Sequence, residues 1–458
     1  MPTRNQLQSL FETERDRYLR EWQEFLSFPS ISTAPEHAPD CRRCAEWLRE
    51  HLARMGFSAR LESTASHPVV LAERKADPGA PVILFYGHYD VQPVDPIELW
   101  DTPPFTPSLR RGRMYARGAQ DNKGQCFAAL KAIEALIHSG DLNCTIKLVL
   151  EGDEEAGHMP ILELLEREKA NLKADLVMAA DTGTVASGAP TITMGLRGII
   201  HITAVLTGPD HDLHSGVHGG RAPNPAAGMA QLVSSLHDDS GRVAVAGFYD
   251  GVEAPTPMER SLANSTPLDP GWYKAATGVE PIAGEPEYTP IERTGFRPTV
   301  EVNGIHSGYG GPGSKTIIPS QAVVKLSARL VPGQTPEDIL QKTIRHLQTH
   351  TPPGMHLSIT EKGIGGPAVR ISLDSPAVKQ ARIALDSLSD TPTAFLWEGA
   401  SVPILSHLPV IAGAPVLLVG FGSESDNIHA PNESYSIEQF KAGFLFTGLF
   451  LSQMKHRP

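Results

Sequence analysis

Short apolar runs alternate with amphipathic stretches at both ends of this chain, and that alternation restricts the possible folds more than any other feature. Apolar residues recur at helical spacing through Leu7, Leu10, Phe11, Tyr18, Leu19, Trp22, Phe25 and Leu26, and Pro29 ends the run, so an amphipathic helix opens the chain. Residues 81–86 then read as a buried strand, 124–137 as a helix, 145–150 as a strand, 160–168 as a helix and 176–180 as a strand. Strand, helix, strand at this spacing predicts βαβ units and a mainly parallel sheet. The pattern returns with a helix over 375–388, strands over 393–397 and 414–420, and a last helix from Ser436.

The middle of the chain is different. Residues 191–206 and 322–331 alternate like half-buried strands, 225–236 and 336–347 read as helices, and 355–361 as one more strand. That set suits an antiparallel sheet with helices on one face. Residues 251–300 hold eight prolines and predict an irregular, loosely helical excursion. The expected fold class is α/β: a catalytic domain from 1–195 and 374–458, with an α+β domain inserted at 196–373. A length of 458 residues agrees, because single cores stop growing near roughly 250–300 residues.

Composition narrows the function. A formal charge of −12 with scattered Lys and Arg disfavours nucleic acid or an anionic membrane as partner. No apolar run approaches the roughly 18 residues of a spanning helix, and the first ten residues lack the basic-then-apolar order of a signal peptide, so a soluble, cytoplasmic protein is expected. Four cysteines make no disulfide framework. Cys41 and Cys44 have CxxC spacing but lie on a helical pattern, and Cys126 and Cys144 supply no second pair for a zinc ribbon.

The chemistry is concentrated after the strands. His88 and Asp90 follow the strand ending at Tyr86, Glu154 and Glu155 follow the strand ending at Leu150, and Asp181 follows Ala180. Open α/β sheets build their sites at such carboxyl ends. Asp121 stands just before a helix and His429 in a loop after the 414–420 strand. Taken singly, Asp121 reads as a helix cap, the Glu pair as solvated surface and His429 as a loop histidine. Bland explanations for all of them at one end of one sheet are improbable together. Two histidines and several carboxylates suit two divalent ions.

Five ordered motifs carry a resemblance: Tyr86-Gly-His-Tyr-Asp-Val-Gln-Pro93, Tyr115-Ala-Arg-Gly-Ala-Gln-Asp-Asn-Lys-Gly124, Leu150-Glu-Gly-Asp-Glu-Glu-Ala-Gly157, Asp212-Leu-His-Ser-Gly-Val-His-Gly-Gly220 and Asn427-Ile-His-Ala-Pro-Asn-Glu433. The chain resembles the dinuclear zinc metallopeptidase family of carnosinase, aminoacylase and succinyl-diaminopimelate desuccinylase, from about Phe25 to the last helix. The likeness is strongest to the carnosinase-like dipeptidases. It implies that His88 and Asp181 hold one metal, that Glu155 and His429 hold the other, and that Asp121 bridges them. Asp90 would orient His88, and Glu154 would be the general base that activates a metal-bridging water. Zinc is the expected ion, although the same ligands suit Mn²⁺ and Co²⁺. Ala116 and Asp153 depart from residues common in relatives, and neither is a proposed ligand.

The resemblance also implies that the inserted domain is a ferredoxin-like lid that dimerises the chain and closes over substrate. His214 would reach the partner subunit's site and stabilise the oxyanion, Arg329 would clamp the substrate carboxylate, and Thr316 and Ser401 would contact substrate. The expected activity is therefore metal-dependent dipeptide hydrolysis. An N-acyl amino acid deacylase is the alternative, and a non-catalytic scaffold a remote one, since Glu154 and all five ligand positions are kept. Gly308-Tyr-Gly-Gly-Pro-Gly313 satisfies GxGxxG, but Pro319 stops any helix that could cradle a phosphate, so it is read as a turn near substrate.

Overall fold

The computed structural model describes residues 2–157 and 159–454. It divides into two compact units: one of residues up to Met194, 371–396 and from Ile404 onward, the other of Gly195–Arg370 with Trp397–Pro403.

The first unit is built on a mixed sheet. Its four central strands, Thr145–Glu151, Val82–His88, Leu176–Ala179 and Val416–Leu418, run parallel in that order. Val69–Arg74 and Ser58–Glu62 extend one side antiparallel, and Thr191–Leu196 pairs antiparallel on the other. Register aligns two strand ends, with His88 opposite Glu151, while the third strand ends at Ala179 opposite Tyr86, two residues short of that level.

Two helices, Lys123–Ser139 and Ile437–Ser452, are buried on nearly every face, which their apolar sequences permit. The opening helix, Arg4–Leu26, starts in a Thr3–Gln6 capping box. Its aromatic stripe packs on them, with Phe11 5.2 Å from Phe444 and Trp22 4.9 Å from Phe440 between ring centroids. Near its end, the carbonyls of Phe25 and Phe28 accept from Lys123 Nζ at 3.2 and 2.8 Å. Lys123 is fully buried, and burial lowers its pKa. Cys41 and Cys44 are free, buried residues of the Ala38–Arg54 helix.

The second unit is a βαββαβ fold of ferredoxin-like order. Its antiparallel sheet runs Thr299–Ser307, Gln321–Leu330, Gly198–Thr207, His356–Gly366, and the helices Pro225–Ser234 and Pro336–Thr349 supply Met229, Leu232, Ile339, Leu340 and Leu347 to a core with Ile202, Leu206, Val324 and Leu326. The proline-rich excursion forms three short helices, Pro257–Ala263, Pro270–Thr277 and Pro290–Gly295, each with Pro in the first turn and a Thr or Asp cap. One expectation is corrected here. The alternation over 191–206 reads as a single strand, but the chain forms two, in different sheets, broken at Arg197. At that residue the backbone leaves the ladder: its N–H donates to Ala400 O and its carbonyl accepts from Ser401 Oγ.

A polar network lies under the opening helix. Lys131, fully buried, donates to His51 Nε2 at 2.7 Å and contacts Glu134 and Glu21, while Arg17 bonds Glu134 and Glu21. Burial, then the Lys131 charge, lowers His51 to about 3. The unfolded chain binds a proton at an imidazole near 6.5 while the folded chain refuses it. This contribution to stability is therefore complete above about pH 6.5 and lost as pH falls toward 3. Against His51→Gln, the wild type is expected to lose about 1.4 kcal/mol more stability per pH unit between roughly pH 6 and 4. Parallel denaturant curves for the two proteins would refute this.

Candidate metal centre

The carboxyl ends of the parallel strands set the geometry. His88 closes the Val82–His88 strand, Glu154 and Glu155 sit in the 3₁₀ turn after Thr145–Glu151, and Asp181 lies two residues past Leu176–Ala179. Asp121 comes from the loop before the Lys123–Ser139 helix, and His429 from the loop before the last helix. Ligand atoms of His88, Asp121 and Asp181 lie within 4.8 Å of one another, as do those of Asp121, Glu155 and His429.

Asp121 belongs to both groups. Its Oδ1 is 3.2 Å from His88 Nε2, and its Oδ2 is 3.0 Å from His429 Nε2. The groups are completed by Asp181 Oδ1, 3.8 Å from His88 Nε2, and Glu155 Oε2, 3.4 Å from His429 Nε2. On the far side of the His88 ring, Nδ1 faces the Asp90 carbonyl at 3.1 Å and its carboxylate at 3.4 Å. That carboxylate also accepts from the N–H groups of Glu154 and Glu155, so one buried residue orients a histidine and pins the turn carrying the Glu pair.

The electrostatics are those of a site crowded with carboxylates. Burial, with the charges of Asp181, Glu155 and Asp121, raises Glu154 well above the carboxylate range, against the pull of His88. Burial and Asp121 push Glu155 to about 7. At Asp121 burial is outweighed by the bonds to His429 and His88, and the group stays strongly acidic. Those bonds, to Asp121 and then Glu155, raise His429 to about 10. Among the described residues no Lys or Arg bonds to Asp121, Glu154, Glu155 or Asp181. Imidazole and carboxylate donors converging without a protein cation are the donor chemistry for divalent metal ions, so the residues fit such a pair.

Three further residues steady the donors. Gln92 donates to Glu155 Oε2 at 2.7 Å, and Asn122 to Asp181 Oδ1 at 2.8 Å. Glu433, fully buried, holds the Asp121 loop: one oxygen accepts from the N–H groups of Gln120 and Asp121 at 2.9 and 3.1 Å, the other from Gly118 N–H and the Arg117 guanidinium, both at 2.8 Å. These three lie inside the five motifs, close to the ligands in sequence, but nothing in their spacing marked them. His429 itself takes a left-handed backbone, φ 57°, flanked by Asn427 and Asn432 in the same region. Such conformations are rare outside glycine and concentrate at functional sites.

The substrate candidates all lie in the second unit. His214 is exposed on a two-residue strand paired with Ile317–Ile318, and Ser215 N–H bonds the Thr316 carbonyl, so His214 and Thr316 are neighbours. Arg329 donates to Ser401 Oγ at 2.7 Å. The glycine-rich 308–313 segment is exposed and leads to that short strand, not to a helix.

The model of Peptidase family M20/M25/M40 matches residues 84–453. The chain belongs to this family. Among M20 relatives, the Beta-Ala-His dipeptidase of Homo sapiens is 30% identical over 462 residues, covering 96% of this chain and 90% of the relative. The Cys-Gly metallodipeptidase dug1 of Schizosaccharomyces pombe is 28% identical, covering 96% of each. The solved structure of an M20 family metallo-carboxypeptidase, Sso-CP2 from Sulfolobus solfataricus, matches with a TM-score of 0.85 at 34% identity, covering 95% of this chain and 98% of that one.

Glu433→Ala leaves three backbone N–H groups of the Asp121 loop without their acceptor. Affinity for divalent ions, read by calorimetric titration of the chelator-stripped protein, is expected to fall about 10- to 100-fold, and less in Glu433→Gln. Unchanged isotherms would separate Glu433 from the centre.

Proposed function

We propose that this M20 peptidase is a metal-dependent dipeptidase, a small-peptide exopeptidase, with Glu154 as its general base. The observation that carries the reading is Asp121, which turns one oxygen to His88 and the other to His429 beside a buried Glu154. His88 and Asp181 would hold one ion, Glu155 and His429 the second, and Asp121 both; zinc suits the set best, and Mn²⁺ or Co²⁺ would fit the same donors. When bound, such a pair supplies Lewis acidity to the scissile carbonyl and lowers the pKa of water.

The chain's own groups do the rest. Glu154 takes the proton of the attacking water and returns it to the departing amine, a role suited to a carboxyl whose pKa its surroundings raise. Asp90 keeps His88 in the ring orientation and tautomer that point Nε2 inward. Arg329 presents a guanidinium, steadied by Ser401, that fits a planar C-terminal carboxylate. His214, exposed beside Thr316, would donate to the oxyanion in the site of a partner subunit, which makes the working form a homodimer through the second unit. Four free cysteines agree with a cytoplasmic enzyme, and among the described residues no helix is long and apolar enough to cross a membrane.

The likeness to a metallo-carboxypeptidase supports a second reading, release of one residue from longer peptides. Arg329 would serve either, because both substrates end in a carboxylate.

A panel of dipeptides, tripeptides, longer peptides and N-acyl amino acids, with chelated controls, separates these readings. Chelator-sensitive cleavage of dipeptides is expected, and cleavage confined to N-acyl amino acids would overturn the proposal. Glu154→Gln is expected to keep its metal and lose activity by about 10²- to 10⁴-fold. Substantial residual turnover would remove Glu154 from the base role. His214→Ala mixed with Glu154→Gln is expected to regain activity, and failure in verified mixed dimers would place His214 outside the partner's site.

A further inference from the structure

The break at Arg197 serves a purpose within the second unit. Its side chain does not point to solvent: Nε donates to Gly399 O at 2.8 Å, and Nη1 lies 3.3 Å from both Arg297 O and Thr299 Oγ1. Its N–H donates to Ala400 O at 3.0 Å, and its carbonyl accepts from Ser401 Oγ at 2.5 Å. One residue thus grips three consecutive positions, Gly399, Ala400 and Ser401. The contact with Gly399 is close, since a Cβ there would come 3.1 Å from Arg197 Nη2.

Ser401 passes the grip on. With its hydroxyl proton committed to the Arg197 carbonyl, its oxygen accepts from Arg329 Nη1 at 2.7 Å. Arg329 stands on the neighbouring strand, paired with Ile199, two places along from Arg197. Both guanidiniums are half-buried, and among the described residues neither forms an ion pair with a carboxylate. Burial, then the charge of Arg329, brings Arg197 down to about 10, while burial alone lowers Arg329. Glu398 and Glu301 offset part of that charge from beyond ion-pair distance, and with no carboxylate bonded to either guanidinium, positive charge is left unpaired at contact. A bound carboxylate would relieve it.

We propose that Arg197 is a positioning residue for carboxylate recognition: it locks the Gly399–Ser401 loop so that Ser401 fixes the Arg329 guanidinium, and it adds a second positive charge behind that clamp. The inference rests on the reading of Arg329 as the clamp. It makes the enzyme's demand for a free C-terminal carboxylate a property of three residues, Arg197, Arg329 and Ser401, and it predicts that the demand weakens without any loss at the metal centre.

The test compares the best dipeptide of the panel with its C-terminal amide, using metal-loaded wild type, Arg197→Met and Arg197→Lys. Wild type is expected to prefer the free acid. Arg197→Met is expected to lower that preference in kcat/KM about 10- to 100-fold, chiefly through a higher KM for the acid, with metal content unchanged. Arg197→Lys, which keeps the charge but not the fork that holds Gly399 and Thr299, is expected to fall between the two. Should Arg197→Met not fold, Arg197→Lys carries the same comparison. If wild type does not distinguish acid from amide, the reading of Arg329 fails. If wild type distinguishes them and the folded variants do so equally, the role of Arg197 is overturned while that of Arg329 stands.

Discussion

A single buried carboxylate, that of Glu433, gathers four donors from the loop that ends in Asp121. The two donor groups of the centre share Asp121, so they share this support. Glu433 lies four residues beyond His429, and the same short segment therefore supplies one candidate donor and holds Asp121, the residue common to both donor groups. Without an acceptor of this kind, successive N–H groups turned inward in a tight loop would each carry a desolvation cost of about 1–3 kcal/mol. Next to the loop, Gly124 admits the backbone: a Cβ there would lie 1.9 Å from Ala119 O. The position of Asp121 is thus set by backbone satisfaction and close approach before any ion is considered.

The parallel core does the corresponding work for the other donors. Because His88 and Glu151 pair in register, the turn after Glu151 carries Glu154 and Glu155 to the level of His88, and Asp90 joins the two by facing the imidazole and accepting from the turn. The price is a set of acids crowded together in a buried place. Burial and mutual repulsion raise Glu154 and Glu155, whereas Asp121 stays acidic on the strength of its histidine partners. Divergent proton affinities among adjacent carboxyl groups are what allow one to bind cations and another to carry a proton.

Much of this was legible in the sequence. Ligand type is written locally, and strands that end in His, Asp or Glu declare which end of the sheet holds the chemistry. Alternation also gave three strands and both sheet-covering helices of the second unit, but not the strand Thr299–Ser307, which is largely exposed and carries no apolar alternation. What stayed hidden depends on contacts between distant segments. Glu433, Gln92 and Asn122 look like ordinary polar residues until the fold brings them to Asp121, Glu155 and Asp181. The apolar alternation from Thr191 to Leu206 runs across Arg197 unbroken, and only hydrogen bonds to residues two hundred positions later turn one strand into two. The antiparallel hairpin of Ser58–Glu62 and Val69–Arg74 escaped notice because its first strand is short and charged.

Lys123 gives the opening helix an importance that the match to the family model does not record. The family match begins at residue 84, yet the buried ammonium two positions after Asp121 forms no ion pair with a carboxylate among the described residues and is satisfied by the carbonyls of Phe25 and Phe28. A chain cut back to the matched region would strip that cation of both its carbonyl acceptors, at the root of the helix that Asp121 precedes. The first thirty residues therefore support the Asp121 helix by solvation: their carbonyls are the solvent of a lysine that water does not reach.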